Sequence, residues 1–529
     1  MTDSSLPKIF CIYTVLLAFL GLSLQADVRI PGFFNDHMVL QRDMPVPIWG
    51  WADPGETVKV SFSGKSYSAT ADKEGKWTLK LSPLKATMEG QNLVIGAHTI
   101  KDVLVGEVWL CSGQSNMQWA MNKAMNPKEE MAAANYPLIR HVAIKNTSAY
   151  LPKSDVEGAW TICSPQSVGK FSGVAYFFGR KLHKELNIPI GLINASWGGT
   201  GIDPWISPYG YGLVAPEVED CRSVVYSGLP ITAEGKKAWE KYLRQMKEWL
   251  PGAQKKVEAG ELPINRPARP NKLNESHHGH TKIFNAMINP LIPYAMRGAI
   301  WYQGESNGGE GMSYFHKLRA LIGGWRHFWG QGDFPFYLVQ LANVNKYNPK
   351  PEGGDGYAKI REAQRKCLEL KNTGMAVITD IGETKNIHPK NKQDVGLRLA
   401  YWALAKDYGY KDLVYSGPLY DNVEVKGKTL VVHFQHTGSG LVIGKKEGLS
   451  PITEIKGPLK GFAMCGADKK WYWADAVITN DGKSVVLSSP EVPAPTAARY
   501  AYRWNPLNAN LYNKEGLPAS AFRTDKGGR

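Results

Sequence analysis

Five short apolar runs, each passing into a turn rich in Gly, Ser or Asn and separated from the next by stretches of helical character, constrain this chain more than any other feature. They read VGEVWLCSG, IPIGLINAS, RGAIWYQGES, FPFYLVQLAN and GMAVITDIG. A strand buried on both faces is apolar throughout rather than alternating, and strands that alternate with helices build a parallel sheet covered on both sides. The expected core is therefore α/β, a doubly wound five-stranded parallel sheet. In such sheets ligands bind beyond the carboxyl ends of the strands, so the chemistry is expected in the turns that follow these five runs.

The flanks are β-rich. In PVPIWGWADPGETVKVSFSG, Val58, Val60 and Phe62 alternate with polar neighbours, the pattern of a half-buried strand, and residues 27–103 read as a small β-sandwich-like domain. GKTLVVHFQH, KKWYWADAVIT and GKSVVLSSP restore β patterning at the other end, giving a C-terminal β-rich domain over 414–529. The α/β domain takes 104–413. A surface insertion at about 218–280 interrupts it, with KKAWEKYLRQMKEWLPGAQKKVEAG read as a charged amphipathic helix broken at Pro251.

Residues 1–26 have the form of a secretory signal peptide: Lys8, an uncharged run from Ile9 to Leu24, then a small residue, Ala26. The run is short of the roughly 20 residues that a spanning helix needs, and no later stretch is apolar for long enough. A secreted or periplasmic protein with no stable membrane anchor is expected. Cys111, Cys163, Cys221, Cys367 and Cys465 would remain after cleavage, an odd and scattered set that does not read as a disulfide scaffold. The net charge of +15 comes from Lys and Arg spread along the chain without a dense run, so no nucleic-acid partner is expected and acidic sugars gain slight support.

The turns carry the chemistry. After the first run, Ser115 lies between Gln114 and Asn116 at a strand-to-helix turn. A serine hydroxyl needs a base to act as a nucleophile, and a helix start offers N–H groups to an oxyanion, although serine is equally common as a plain helix cap. After the second run comes Ser196-Trp197-Gly198-Gly199-Thr200, after the third Gln303-Gly304-Glu305-Ser306-Asn307, and after the fifth Asn386-Ile387-His388-Pro389.

Ser, Gly, Asn and His in this order are the letters of the SGNH hydrolase superfamily. GQSNM, WGGT, QGESN and NIHPKNKQDVGLRLA together resemble the sialate O-acetylesterase family, which is similar to carbohydrate esterase family six. DHMVLQRDMPVPIWGWADPGE and NLYNKEGLPASAFRTD extend the likeness over nearly the whole mature chain. The resemblance implies an SGNH-type sheet and hydrolysis of acetyl esters on an O-acetylated sugar or polysaccharide, with no metal and no cofactor. It implies Ser115 as nucleophile, His388 as its base, and an oxyanion site of the Ser115 N–H, Gly199 (preferred to Gly198) and Asn307. Acetylxylan or another polysaccharide is an alternative substrate, and a non-catalytic secreted carbohydrate-binding protein is the alternative from another class.

One departure concerns the acid that orients the histidine. Many SGNH enzymes carry Asp three residues before it, where Lys385 stands, and relatives often carry Asp two before it, where Asn386 stands. Glu305 is the expected substitute, on the argument that strand geometry continuing past the third run points Glu305 and Asn307 to one side. Asp380 is the reserve candidate, and bracing of the loop is the bland role for Glu305. The tract His277-His278-Gly279-His280 reads as a polar loop in preference to a metal site. Trp119, Trp197 and Trp205 are either sugar-stacking rings or core.

Overall fold

The computed structural model describes residues 28–216, 230, 232–270 and 276–525. The expected signal peptide and Cys221 lie outside the described residues. The five apolar runs form strands His98–Gly113, Ile190–Ser196, Gly298–Tyr302, Phe336–Gln340 and Thr373–Val377, all parallel. The sheet is larger than the five strands expected. Tyr136–Ala143 adds a sixth parallel strand beside Ile190–Ser196, and Thr161–Cys163 closes that edge antiparallel. The segment YPLIRHVA carries Pro137, Arg140 and His141 and so lacks the unbroken apolar run that marks the others. Arg140 and His141 are nevertheless buried, the former paired with Asp102 at 2.6 Å.

In space the order is 373–377, 336–340, 298–302, 98–113, 190–196, 136–143, 161–163. The chain first builds to one side of His98–Gly113 and then returns to the other, so this strand borders the point where the winding reverses, the place where doubly wound sheets hold ligands. Helices Gly173–Leu186 and Lys392–Asp407 pack on each other and on the sheet, and Ala358–Lys366, against the same sheet, packs with Ser313–Trp329.

His98–Gly113 is 16 residues long and serves two layers. Its first half pairs with Val39–Gln41 and Thr87–Ile95, its second half with the central strands. A single strand thus crosses the boundary drawn at 103/104, and one hydrophobic core runs continuously from Val28 to Leu419. Glu107, fully enclosed on this strand, accepts from Arg42 and Arg297 and locks the two layers by charge.

The C-terminal sheets enclose a separate core from Leu430 to Phe522. Polar contacts and the packing of Trp504 on Tyr357 join this region to the α/β region. The buried Arg361 donates to the carbonyls of Leu341, Ala342, Arg503 and Trp504. In the insertion the helix runs through Pro251 without the expected break, from Ala233 to Glu258. Pro251 is exposed, so solvent can satisfy the carbonyl that loses its partner. Among the described residues no helix is long and apolar enough to cross a membrane.

Candidate active site

Register brings the turns together. Gly113 is paired with Ser196 on one side and Tyr302 on the other, so the three segments leave the sheet from one row. Gly113 has φ 137°, and a Cβ there would lie 2.2 Å from the Tyr302 carbonyl oxygen, so glycine alone fits. Gln114 N–H donates to that same oxygen, and the chain then turns into the short helix Ser115–Gln118, of which Ser115 is the first residue.

His388 arrives from the loop after Thr373–Val377. Its Nε2 lies 2.8 Å from Ser115 Oγ, and its ring stacks on Trp119 with centroids 4.7 Å apart and 16° between planes. Its own backbone N–H donates to Asn386 Oδ1 at 3.0 Å. Burial lowers the pKa of the imidazole, and the Lys392 and Lys123 cations lower it further. A neutral ring is the form that can take a proton from a serine hydroxyl.

The expected hydrogen bond from Glu305 to His388 does not form. Glu305 instead accepts from Asn116 Nδ2 at 2.5 Å. The strand ends at Tyr302 and Glu305–Asn307 makes a tight 3₁₀ turn, so the alternation that was to put Glu305 and Asn307 on one side does not persist. The reserve candidate is also committed elsewhere: Asp380 holds Arg398 through two bonds of 2.6 and 2.8 Å, both side chains buried. Lys385 is exposed. His388 Nδ1 has no acceptor among the described residues, so Ser115 and His388 stand as a pair.

Beneath this pair lies a network that sequence reasoning missed. Asn116 donates to Glu305 and to the Ile387 carbonyl at 3.0 Å, and its Oδ1 accepts from Lys392 Nζ at 2.5 Å. Lys392 is fully buried beside the rings of Trp119 and Tyr302, and burial brings its pKa down to about 7 while Glu305 and Glu383 pull the other way. Burial likewise raises the pKa of Glu305, whose Oε2 is enclosed without a hydrogen-bond partner among the described residues. Asn116 thus joins a buried acid to a buried amine and ties the serine turn to the residue before His388. The amide flanking Ser115 was visible in the sequence, but nothing in KNKQD tells a solvated lysine from an enclosed one.

The oxyanion candidates differ in what holds them. The Gly198 N–H is taken by Gln118 Oε1 at 2.9 Å, whereas the Gly199 N–H has no acceptor among the described residues. Gly198 packs so close to Ser115 that a Cβ on it would sit 3.3 Å from the serine Cβ. Asn307 is buried and firmly oriented: its Oδ1 accepts from Ile202 N–H and Gln303 Nε2, and its Nδ2 donates to Glu310 Oε1 at 2.8 Å. Lys317, bridging Glu310 and Asp203 at 2.9 Å each, fixes that acceptor in turn.

The three tryptophans separate. Trp119 backs the His388 ring, Trp197 stacks on His277 at 4.3 Å and 4°, and Trp205 is fully buried against Trp301. His280 faces Asp203 at 3.7 Å. Among the described residues no three His, Cys, Asp or Glu side chains gather as a metal-ligand set.

Residues 270–405 match the family described as carbohydrate esterase, sialic acid-specific acetylesterase. The human sialate O-acetylesterase is 30% identical over 94% of this chain and 93% of its own length. The orangutan (Pongo abelii) sialate O-acetylesterase is 29% identical over 93% and 92%. The crystal structure of a carbohydrate acetylesterase from Xanthomonas citri superposes with a TM-score of 0.77 at 33% identity, covering 95% of this chain and all of that one. By these matches, over nearly its full length, the chain belongs to the sialate O-acetylesterase family of carboxylic-ester hydrolases.

Proposed function

We propose that this protein removes O-acetyl groups from carbohydrate through a serine acetyl-enzyme. The observation that carries the reading is the 2.8 Å contact between Ser115 Oγ and His388 Nε2 at the carboxyl ends of the strands. Ser115 Oγ attacks the acetyl carbonyl as His388 takes its proton. The tetrahedral intermediate collapses with the C–O bond to the sugar breaking, and His388 returns the proton to the departing sugar hydroxyl. Water, activated by the same imidazole, releases acetate and restores Ser115. The Ser115 N–H, the Gly199 N–H and the second Nδ2 hydrogen of Asn307 hold the oxyanion, each donor contributing about 3 kcal/mol in comparable sites. Glu305 acts as a positioning residue through Asn116, not as a partner of the imidazole.

Release of acetate from O-acetylated sialic acids, acetylxylan and other acetylated polysaccharides, followed for the wild-type chain and for Ser115→Ala, tests this. Ser115→Ala should lower turnover by about 10⁴-fold or more with the circular dichroism unchanged. Turnover near wild type, or no acetate from any sugar, rejects the proposal. The pattern of residues 1–26 supports export, and a mature chain whose mass begins at Asp27 is the expected outcome.

A further inference from the structure

A cavity of about 410 Å³ lies between the loop after Phe336–Gln340 and the C-terminal β region. Its volume is within the roughly 300–1,000 Å³ typical of small-ligand pockets. Tyr347, Phe462, Trp473, Val477, Pro506 and Arg503 form its walls, and neither Ser115 nor His388 lines it. Trp473 is 39% exposed and Val477 66%, so the apolar part of the wall is open to a ligand.

Arg503 is the unusual member. It is only 3% exposed, and its guanidinium lies over the rings of Trp473 at 4.4 Å and Tyr347 at 5.6 Å. Both rings lie close to the guanidinium, whose N–H groups are its hydrogen-bond donors. One of these, Nη1, is spent on the Asn348 carbonyl. Nε and Nη2 have no acceptor, and the guanidinium forms no ion pair, among the described residues. An enclosed guanidinium with an unspent two-nitrogen edge is a fork for a carboxylate. Lys460 lines the same cavity and adds positive charge against one lining carboxylate, Asp475, while Asp355 and Glu352 act on Arg503 electrostatically without forming an ion pair with it among the described residues.

The cavity is also coupled to the catalytic loop. Asn345, in the loop that carries Tyr347, donates its N–H to the Thr384 carbonyl, and Asn505 donates to the Asn345 carbonyl, while Asn343 accepts from the Gly382 N–H. These segments lead directly to His388, so cavity and catalytic pair share the carboxyl-end side of the sheet.

We propose that this cavity is a distal saccharide subsite for a pyranose bearing one carboxylate. Arg503 Nε and Nη2 hold the carboxylate, and the C–H face of the ring packs on Trp473 and Val477. The inference rests on the reading of the protein as a carbohydrate esterase and extends it to glycans that carry an acidic residue as well as an acetylated one.

The test is calorimetric titration of full-length Ser115→Ala with methyl galacturonoside, with N-acetylneuraminic acid and with neutral methyl galactoside. At least one acidic sugar should bind with a Kd of about 1 mM, and the neutral sugar about tenfold or more weakly. Adding Trp473→Ala or Arg503→Gln should weaken the acidic sugar by about tenfold. In the enzyme that retains Ser115, Trp473→Ala should leave hydrolysis of 4-nitrophenyl acetate unchanged. Equal binding of the neutral sugar, binding indifferent to Trp473→Ala, or no binding of either acid overturns the proposal. Should Arg503→Gln fail to fold, Trp473→Ala and the neutral control still decide. Acidic-sugar binding lost in Trp473→Ala but without acetate release by the parent enzyme would remove the esterase reading and leave the subsite standing.

Discussion

The two members of the proposed catalytic pair, Ser115 and His388, meet at 2.8 Å but are held there by different means. Ser115 follows the 16-residue strand His98–Gly113, and its place is set by backbone: Gly113 between Ser196 and Tyr302, and the Gln114 N–H on the Tyr302 carbonyl. His388 stands in a loop with no strand partner, and side chains hold it. Asn386 caps its N–H, Trp119 backs its ring, and Asn116 grips the carbonyl of Ile387. Remote residues steady the loop, since Asn391 Nδ2 donates to the Gly448 carbonyl and Lys446 pairs with Asp394 at 2.8 Å, both from the C-terminal region. A backbone-built position tolerates no added atom. One built from side chains can be loosened by degrees, which is where mutation should tune rate without unfolding the protein.

The sharpest way to break this contrast is a methyl group on each side. Gly113→Ala places a Cβ 2.2 Å from the Tyr302 oxygen at a left-handed φ, and is expected to cost about 4 kcal/mol or more and to deplete soluble folded protein. Asn386→Ala removes one cap from the His388 loop, costs about 1 kcal/mol, and should keep the fold with a several-fold lower kcat. Thermal unfolding of both variants checks this; similar Tm losses would show that the two sides are not held differently.

Asn116→Ala cuts the link between the sides. It should lower kcat by about 10²-fold with little change in KM, because a misplaced base weakens transition-state more than ground-state binding. A change confined to KM would make Asn116 a substrate ligand instead. The smallest expected effect is on pH. His388 is held below its ordinary value by burial, then by Lys392 and Lys123, so kcat/KM should rise with pH and level off once the imidazole is neutral, with the inflection below 6.5. Lys392→Met removes a cation that opposes the imidazolium and should move the inflection upward. An unmoved or lowered inflection means that Lys392 does not act on the base through charge.

The five strands and the four turns were legible because each signal is local. A strand buried on both faces must be apolar over its length, and turns that need glycine or a nucleophile spell it out. Tyr136–Ala143 was missed because its Arg140 and His141 are buried polar residues, compensated by Asp102 and by stacking on Phe171 from elsewhere in the chain. The role expected of Glu305 failed for a related reason. Whether a chain stays extended for three more residues after a strand depends on what it packs against, and here it turns at Gly304 with φ 153°.

By itself, then, the sequence determined the α/β architecture and the order of the turns, while the roles expected of Ser115, Gly199, Asn307 and His388 came from the family resemblance that those turns carry. Periodicity and turn chemistry are properties of neighbouring residues and need no fold to be read. Only the tertiary structure decided which acid served which partner. It set Glu305 on Asn116, Asp380 on Arg398, and Lys392 inside the protein beneath the pair. Charge pairing and desolvation act across space between residues far apart in the chain, so the same Lys or Glu is a solvated surface group or a buried electrostatic element according to what the fold brings against it.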